Sequence, residues 1–305
     1  MHETVLLREA VSALVTTPAG YYVDGTFGRG GHSRRILDSL DTTGHLLAVD
    51  KDPFAQQVAL ELAANDSRLS FFHGSFAELP GQLQRMGIAE VDGILLDLGV
   101  SSPQLDDAAR GFSFQHDGPL DMRMDTSRGQ TAAEWLAGAG VEEIADVLKE
   151  YGEERFAKRI AAAIVEACDK GSMETTGELA RVVSEANPRW EKHKHPATRA
   201  FQAIRIRVNR ELDDLQQLLD GAVDLLRVGG RLVVISFHSL EDRIVKRYMR
   251  DMARGQPIPR GVPVPESALD RRLKIIGKAV KPSAEEVSAN ARSRSAIMRV
   301  AEKIA

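Results

Sequence analysis

Three short apolar runs in the first hundred residues each close on an aspartate: Tyr21-Tyr22-Val23-Asp24, Leu46-Leu47-Ala48-Val49-Asp50 and Gly93-Ile94-Leu95-Leu96-Asp97. Leu69-Ser70-Phe71-Phe72 reads as a further strand. Between them, His32 to Leu40 and Phe54 to Ala64 have helical spacing, the second with Pro53 at a favoured first helical position. Continuous apolar runs suit strands buried on both faces, and strands alternating with helices predict an α/β fold with a parallel, doubly wound sheet. After residue 105 the rhythm changes. Segments 131–151, 153–168 and 175–187 carry helical periodicity with glycine-bearing breaks, and no strand pattern stands out between about 105 and 205. The sheet pattern resumes at Arg231-Leu232-Val233-Val234-Ile235-Ser236, followed by a helix from Leu240 and a late strand over Ser295 to Val300. The economical architecture is one sheet domain, 1–106 with 207–305, interrupted by an all-helical insertion over 107–206. Gly255 to Pro263 reads as an extended surface loop.

Composition narrows the class. A chain of 305 residues with 43% hydrophobic and 28% charged residues can bury a sizeable core, which excludes wholesale disorder and a coiled coil. Its longest uncharged run, Ala10 to Val23, is 14 residues and holds Pro18 and Gly20, too short and too broken to span a bilayer. The start of the chain lacks a secretory pattern, and the single Cys168 excludes a disulfide framework, so a soluble cytoplasmic protein is expected. Net charge is −4, yet charge is segregated: 189–210 holds seven basic residues against Glu191, and 271–299 holds eight against Glu285 and Glu286. Such patches suit a polyanion, although charge runs are commonly just solvated faces.

The strongest local signal is Asp24-Gly25-Thr26-Phe27-Gly28-Arg29-Gly30-Gly31-His32, which follows one strand and opens a helix. Nucleotide-type ligands sit there in open α/β sheets, because glycine lets the backbone approach and free N–H groups hold polar ligand atoms. Asp50 closes the next strand 20 residues after Gly30, placed to accept hydrogen bonds from ribose hydroxyls. A Walker A loop is absent, and the dinucleotide pattern is only partly met because Ser33 takes the third glycine position. Both NAD and S-adenosyl-L-methionine remain open at this point.

The fourth strand end, Asp97-Leu98-Gly99-Val100-Ser101-Ser102-Pro103-Gln104, combines an acid, hydroxyls and a proline. Enzymes that methylate exocyclic base amines carry an acid-or-amide-proline loop there. The amine's lone pair is delocalised into the ring, and acceptors gripping its N–H groups can aim it at a methyl donor. Asp97, Ser101 and Ser102 are therefore the candidate catalytic residues. Base stacking must come from elsewhere, and Phe112, Phe114, Trp135 and Phe237 are candidates that fit equally as core.

These motifs resemble the bacterial small-subunit rRNA cytosine-N4 methyltransferases, the MraW/RsmH family. The resemblance rests on Gly25 to Ser33, Asp97 to Asp106, Arg110-Gly111-Phe112-Ser113-Phe114 and Pro119 to Met124. His195-Pro196-Ala197-Thr198-Arg199 with Phe201-Gln202-Ala203, and Ser236 to Arg243, extend it nearly end to end. It implies a Rossmann-like class I methyltransferase sheet and transfer of a methyl group from S-adenosyl-L-methionine to N4 of a cytidine, 16S rRNA position 1402, in the decoding centre. By its motifs the cofactor contacts fall on Gly30, Gly31, His32, Asp50, Asp97 and Gln104, with Phe76 beside the adenine. The divergent stretches, roughly 52–70 and 254–290, carry over no role.

Phe112, Trp135, Arg199 and His238 are the candidate substrate contacts. Arg199, Arg205 and Arg207 leave a helix whose Phe201, Ile204, Val208 and Leu212 stripe is core, so they either hold phosphates or pair with nearby acids. His238 follows the fifth strand and either faces substrate or is a satisfied structural histidine. Asp117, Asp121 and Asp125, spaced four apart, hint at a metal, but exposure or pairing with Arg123 and Arg128 explains them better, and Cys168 fits inert core. No metal is expected, since a sulfonium is already activated. The expected partners are 16S rRNA or the small ribosomal subunit and no membrane; a homodimer stays open. Two rivals remain: a ribosome-assembly factor with a vestigial cofactor pocket, and an NAD-dependent dehydrogenase, for which no hydride-relay constellation is visible.

Overall fold

The structure, a computed structural model, describes residues 4–171, 173–190, 195–256 and 269–305. The chain divides into two compact units, Met1–Gly99 with Leu212–Ala305, and Val100–Glu211.

The first unit is built on seven strands: β1 (Tyr21–Asp24), β2 (His45–Asp50), β3 (Leu69–His73), β4 (Val91–Asp97), β5 (Leu226–Ser236), β6 (Leu273–Ile275) and β7 (Ile297–Lys303). Their order is β3-β2-β1-β4-β5-β7-β6. The first five are mutually parallel, with Val23 opposite Leu47 and Ile94, and Leu95 opposite Val233. β7 enters antiparallel between β5 and β6, pairing Ile235 with Met298 and Ile275 with Ala301. β5 begins at Leu226, earlier than the Arg231 start expected from its apolar run, and β6 was not anticipated.

Alternation along the strands explains why both faces of the sheet are covered. Leu47, Val49, Ile94, Leu96, Leu232 and Val234 face one core with Leu215, Leu218 and Leu219 of helix Glu211–Leu225 and Val245 and Met249 of helix Ser239–Arg254. Leu46, Ala48, Leu95, Val233 and Ile235 face the other, with Leu14 of helix Leu7–Leu14, Ile36 of helix Gly31–Ser39 and Ala55 and Ala59 of helix Pro53–Asn65. At 25 cal/mol per Å² this two-sided burial is the dominant stabilisation.

The second unit is helical: Ser102–Asp106, Ala132–Gly138, Val141–Gly152, Ala157–Asp169, Thr176–Ala186 and Thr198–Asn209. Capping boxes start three of these, where Ser101 pairs with Gln104, Thr131 with Glu134 and Thr175 with Glu178. Ile144, Leu148, Ile160, Ile164, Leu179, Val183 and Ile204 are fully buried in its core. No strand occurs there among the described residues; the isolated bridge Pro119–Thr175 is the nearest approach. The unit divides from the sheet at 99/100 and 211/212, where the sequence pattern placed the joins at 106/107 and 206/207. Asn209 shows why its helix belongs here: its side chain donates to Met122 O at 2.7 Å and accepts from Met124 N at 2.6 Å. The extended loop expected over Gly255 to Pro263 lies, from Pro257 on, outside the described residues, as do Glu191, Lys192 and Lys194.

Candidate active site

β1 is flanked by β2 on one side and β4 on the other, so the chain leaves its carboxyl end in opposite directions at this point of the sheet. A crevice opens there in doubly wound folds. The glycine turn fills the position. Gly25 N donates to Leu95 O at 2.8 Å and Phe27 N to Val49 O at 3.0 Å, tying the turn to both neighbouring strands. A Cβ on Gly25 would stand 2.6 Å from Leu96 Cδ2, so only glycine passes there. Gly30 adopts φ 75° and starts helix Gly31–Ser39 without a side-chain cap, leaving the first N–H groups of the helix for a ligand.

Asp50 holds the turn from the end of β2. Its Oδ2 accepts from Gly28 N at 2.7 Å and its Oδ1 from Asp52 N at 2.8 Å, which fixes the carboxylate and leaves further lone pairs for a ribose. Thr26 does the same for β4, its Oγ1 accepting from Asp97 N at 2.6 Å. Asp24, wholly buried, accepts from Ser33 Oγ at 2.6 Å and Thr26 N at 3.2 Å.

This edge collects carboxylates that repel one another. Burial pushes Asp24 up to about 6, against the pull of its hydrogen bonds and with a further push from Asp50. Burial also raises Asp50, although the Asp52 and Gly28 N–H groups oppose it. Asp97 is raised well above the usual carboxylate range, first by burial and then by Asp24 and Glu241. His32 is pushed down to about 4 by burial and stays neutral. Its Nδ1 lies 3.7 Å from Asp97 Oδ2, beyond hydrogen-bond reach. Lys51, next to Asp50, is drawn instead to Asp214, whose Oδ2 accepts from Lys51 Nζ at 2.7 Å and Ser75 Oγ at 2.6 Å.

At this edge Asp97 Oδ1 and His32 Nε2, like both ring nitrogens of His238 beyond β5, are buried without a hydrogen-bond partner. Buried polar atoms are nearly always satisfied, so this pair is what a ligand would complete. The charge identifies the kind of ligand. A diphosphate would meet three carboxylates, which weighs against the NAD reading, whereas a cation relieves their mutual repulsion. The residues therefore fit S-adenosyl-L-methionine: glycine N–H groups and Asp50 for its polar ends, and the Asp24–Asp97 side for its positive charge.

β5 brings in a group that the sequence reading left aside. Glu241 is 2% exposed; its Oε2 accepts from Phe237 N at 2.8 Å and His238 N at 3.3 Å, and its Oε1 lies 3.0 Å from His238 Nε2. The His238 ring lies beside this carboxylate, yet neither of its nitrogens makes a hydrogen bond. Thr26 and Glu241 sit inside the motifs that carry the resemblance and Asp24 just before one, but their roles show only in their contacts, Thr26's reaching across the chain to Asp97. Phe76 follows β3 in a single turn capped by Ser75 and belongs to the same buried core as Val23, Val49 and Leu96.

The remaining expected site residues belong to the helical unit. Ser101 and Gln104 form a capping box, Ser101 N donating to Gln104 Oε1 at 2.8 Å, and Ser102 is buried beside them. Phe112 and Trp135, 5% and 6% exposed, lie inside the helical core, so their rings serve packing first. Arg110 lies over Phe112; Trp135 Nε1 donates to Glu143 Oε1 at 3.0 Å, and Arg207 covers its ring. Phe114 stacks on His195 at 4.5 Å. Arg199 Nη1 donates to the backbone carbonyl of Glu153 at 2.5 Å, while Arg205 pairs with Glu211 at 2.8 Å and Arg207 with Glu143 at 3.4 Å. Asp121 is bound by Arg123 at 2.7 Å and Asp125 by Arg128, as the pairing reading expected. Cys168 is half-buried against the helical core, which raises its thiol pKa.

Comparison with known proteins bears on this geometry. Ribosomal RNA small subunit methyltransferase H of Aromatoleum aromaticum is 57% identical over 303 residues, 99% of this chain and 96% of that protein. Among solved structures, an rRNA methylase from Streptococcus thermophilus aligns over 97% of this chain and 92% of its own, at 10% identity and a TM-score of 0.40. A SAM-dependent O-methyltransferase from Thermotoga maritima aligns over 100% and 68%, at 9% identity and a TM-score of 0.43. Those scores are too low to argue from, and the assignment rests on sequence. The sequence model described as the MraW methylase family matches residues 1–304. With a match of that extent, and a glycine turn set among buried carboxylates, this chain belongs to the MraW methylase family.

Proposed function

We propose that this protein is a cytoplasmic S-adenosyl-L-methionine-dependent methyltransferase that methylates N4 of a cytidine of small-subunit rRNA, at 16S position 1402. The observation that carries the reading is the set of raised carboxyls Asp24, Asp50 and Asp97 around a glycine turn. The small-subunit substrate is supported by the name of the Aromatoleum relative and the cytidine N4 position by the motif resemblance.

When bound, the cofactor supplies a methyl group already activated on a sulfonium. Gly30, Gly31 and His32 would hold its amino-acid end, Asp50 its ribose hydroxyls and Phe76 its adenine, with Gln104 a further contact. Asp97 accepts from the target amine, fixing the direction of the nitrogen lone pair; Ser101 and Ser102 are the second choice for this task. Holding reactants in line is worth several orders of magnitude, so positioning is the main contribution asked of the protein. The methylated ammonium is strongly acidic and loses its proton without a dedicated base. Arg199 and His238 are proposed substrate contacts, and Phe112 and Trp135 support the binding surface from the helical core. The proposed domain roles follow: the sheet binds cofactor and the insertion, 107–206 in the sequence reading, contributes to RNA binding.

The test is transfer of labelled methyl groups to small subunits lacking the modification, with digestion to nucleosides. Label in N4-methylcytidine, lost in Asp97→Asn, supports the reading. Cofactor binding with no transfer to subunits or naked rRNA would favour an assembly factor instead.

A further inference from the structure

Helix Ser239–Arg254 starts at the carboxyl end of β5, beside the carboxylate edge, and its two sides differ sharply. Val245 and Met249 are buried against the sheet, whereas Arg243, Lys246, Arg247, Arg250 and Arg254 are all exposed. Positions 243, 247, 250 and 254 follow each other at spacings of four, three and four, which sets them along one face over about 16 Å. Its acids do not balance them. Glu241 is buried at the cap, Asp242 is bound by Arg299 at 2.7 Å, and Asp251 alone is exposed, contacting Arg250 at 2.9 Å. Asp251 is held below the usual carboxylate range by Arg250 and then by Arg254 and Arg247, so several cations crowd one carboxylate. Arg272 N donates to Met252 O at 3.0 Å, which brings β6 and its exposed Lys274 alongside the same helix.

A face made only for solubility mixes both signs. The helix Val141–Gly152 shows the opposite bias, exposing Glu142, Glu143, Asp146 and Glu150, so charge is sorted by surface in a chain whose net charge is −4. We propose that the outer face of helix Ser239–Arg254, through Lys246, Arg247, Arg250 and Arg254, is a phosphate-binding ridge that holds the backbone of the RNA substrate along a track leading from the carboxylate edge back toward the amino ends of the strands. The inference rests on the rRNA reading above. It assigns this face to affinity and register: the ridge contacts phosphates, and base selection is left to the active site.

The experiment compares the wild-type chain with Lys246→Gln/Arg247→Gln/Arg254→Gln, measuring affinity for 16S rRNA and small subunits from 50 to 200 mM salt. Each lost phosphate contact lowers the slope of log K against log salt by about 0.7 to 0.9. The triple variant is therefore expected to lose about 2 from that slope and to raise KM for subunits at least about tenfold, with kcat and cofactor affinity unchanged. Arg247→Lys/Arg254→Lys should retain the wild-type slope, and single Gln variants, each losing one contact, serve if the triple variant fails to fold. Unchanged RNA affinity and slope in a variant whose wild type methylates subunits would overturn the ridge alone. A wild type that neither binds nor methylates RNA would overturn the functional reading and the ridge with it. Capture by anionic vesicles that RNA does not compete would also overturn it.

Discussion

Two sets of aspartates in this protein occupy opposite electrostatic worlds. At the sheet edge, Asp24, Asp50 and Asp97 are raised by burial and by their neighbours' charge. In the helical unit, Asp117 is held below the usual range, chiefly by the Gly177 N–H. Asp121 and Asp125 are lowered despite burial, by the Arg123 side chain and by Ser127 and Arg128 respectively. The lowered set is settled by its own partners; the raised set, in which Asp97 keeps an oxygen without a hydrogen-bond partner, gains from a cationic ligand. Residue type and even spacing therefore say little, and the partner decides.

The comparison breaks hardest at Asp97. Asp97→Asn should lower methyl transfer by about 10²–10³, the range for removing one preorganised polar group from a reacting site, with a smaller change in cofactor affinity. Rates from label transfer at saturating cofactor decide it; an unaltered rate would return Asp97 to a structural role. Asp50→Ala removes the anchor of Gly28 and, on the proposed reading, the ribose acceptor. Calorimetry should show cofactor affinity about 10- to 100-fold weaker, the worth of a charge-assisted hydrogen bond.

The pH dependence sharpens the contrast. Asp97 sheds its proton above the ordinary carboxylate range, so activity should rise with pH through that raised value, and Asp97→Asn should flatten the limb. His32 acts on stability in the same direction by another route. Its native pKa is pushed down to about 4 from 6.5, so as pH falls between these values the unfolded chain takes up a proton that the native state refuses. Stability is lost across that window, and His32→Asn should lessen the accompanying fall in Tm by a few degrees. The smallest effect lies in the helical unit. Asp121→Asn should cost about 1 kcal/mol in denaturant unfolding, because its two-pronged contact with Arg123 is one-fifth exposed, and should leave methyl transfer per folded molecule unchanged. A large activity loss there would erase the distinction between the two sets.

Much of the sheet was legible because a buried parallel strand writes itself as an uninterrupted apolar run, and β1, β2 and β4 each end on the acid that marks the ligand edge. β6 was invisible for the converse reason: three residues, Leu-Lys-Ile, hold strand form only by pairing with β7. The glycine turn and Asp50 could be read together since their separation is characteristic. Thr26's grip on Asp97 joins segments that no local pattern links, whereas Glu241's hold on the Phe237–His238 backbone is a helix-capping contact that its spacing could have shown. Phe112 and Trp135 show the limit from the other side, because an aromatic in a polar motif looks alike whether it faces a base or a core, and only burial separates the two.

The placement of β7 governs how the chain comes to be folded during synthesis. β5 offers Arg231 to Ser236 as a complete ladder to a strand that is not made until residues 297–303. Until then a flat, apolar row of unpaired amide and carbonyl groups stands at the side of a nearly finished sheet. A nascent or truncated chain stopping before Ile297 would carry that open edge permanently and should pair with other copies of itself instead. Translation must outrun that association, and stalling late in the message is the more dangerous place for a ribosome to pause.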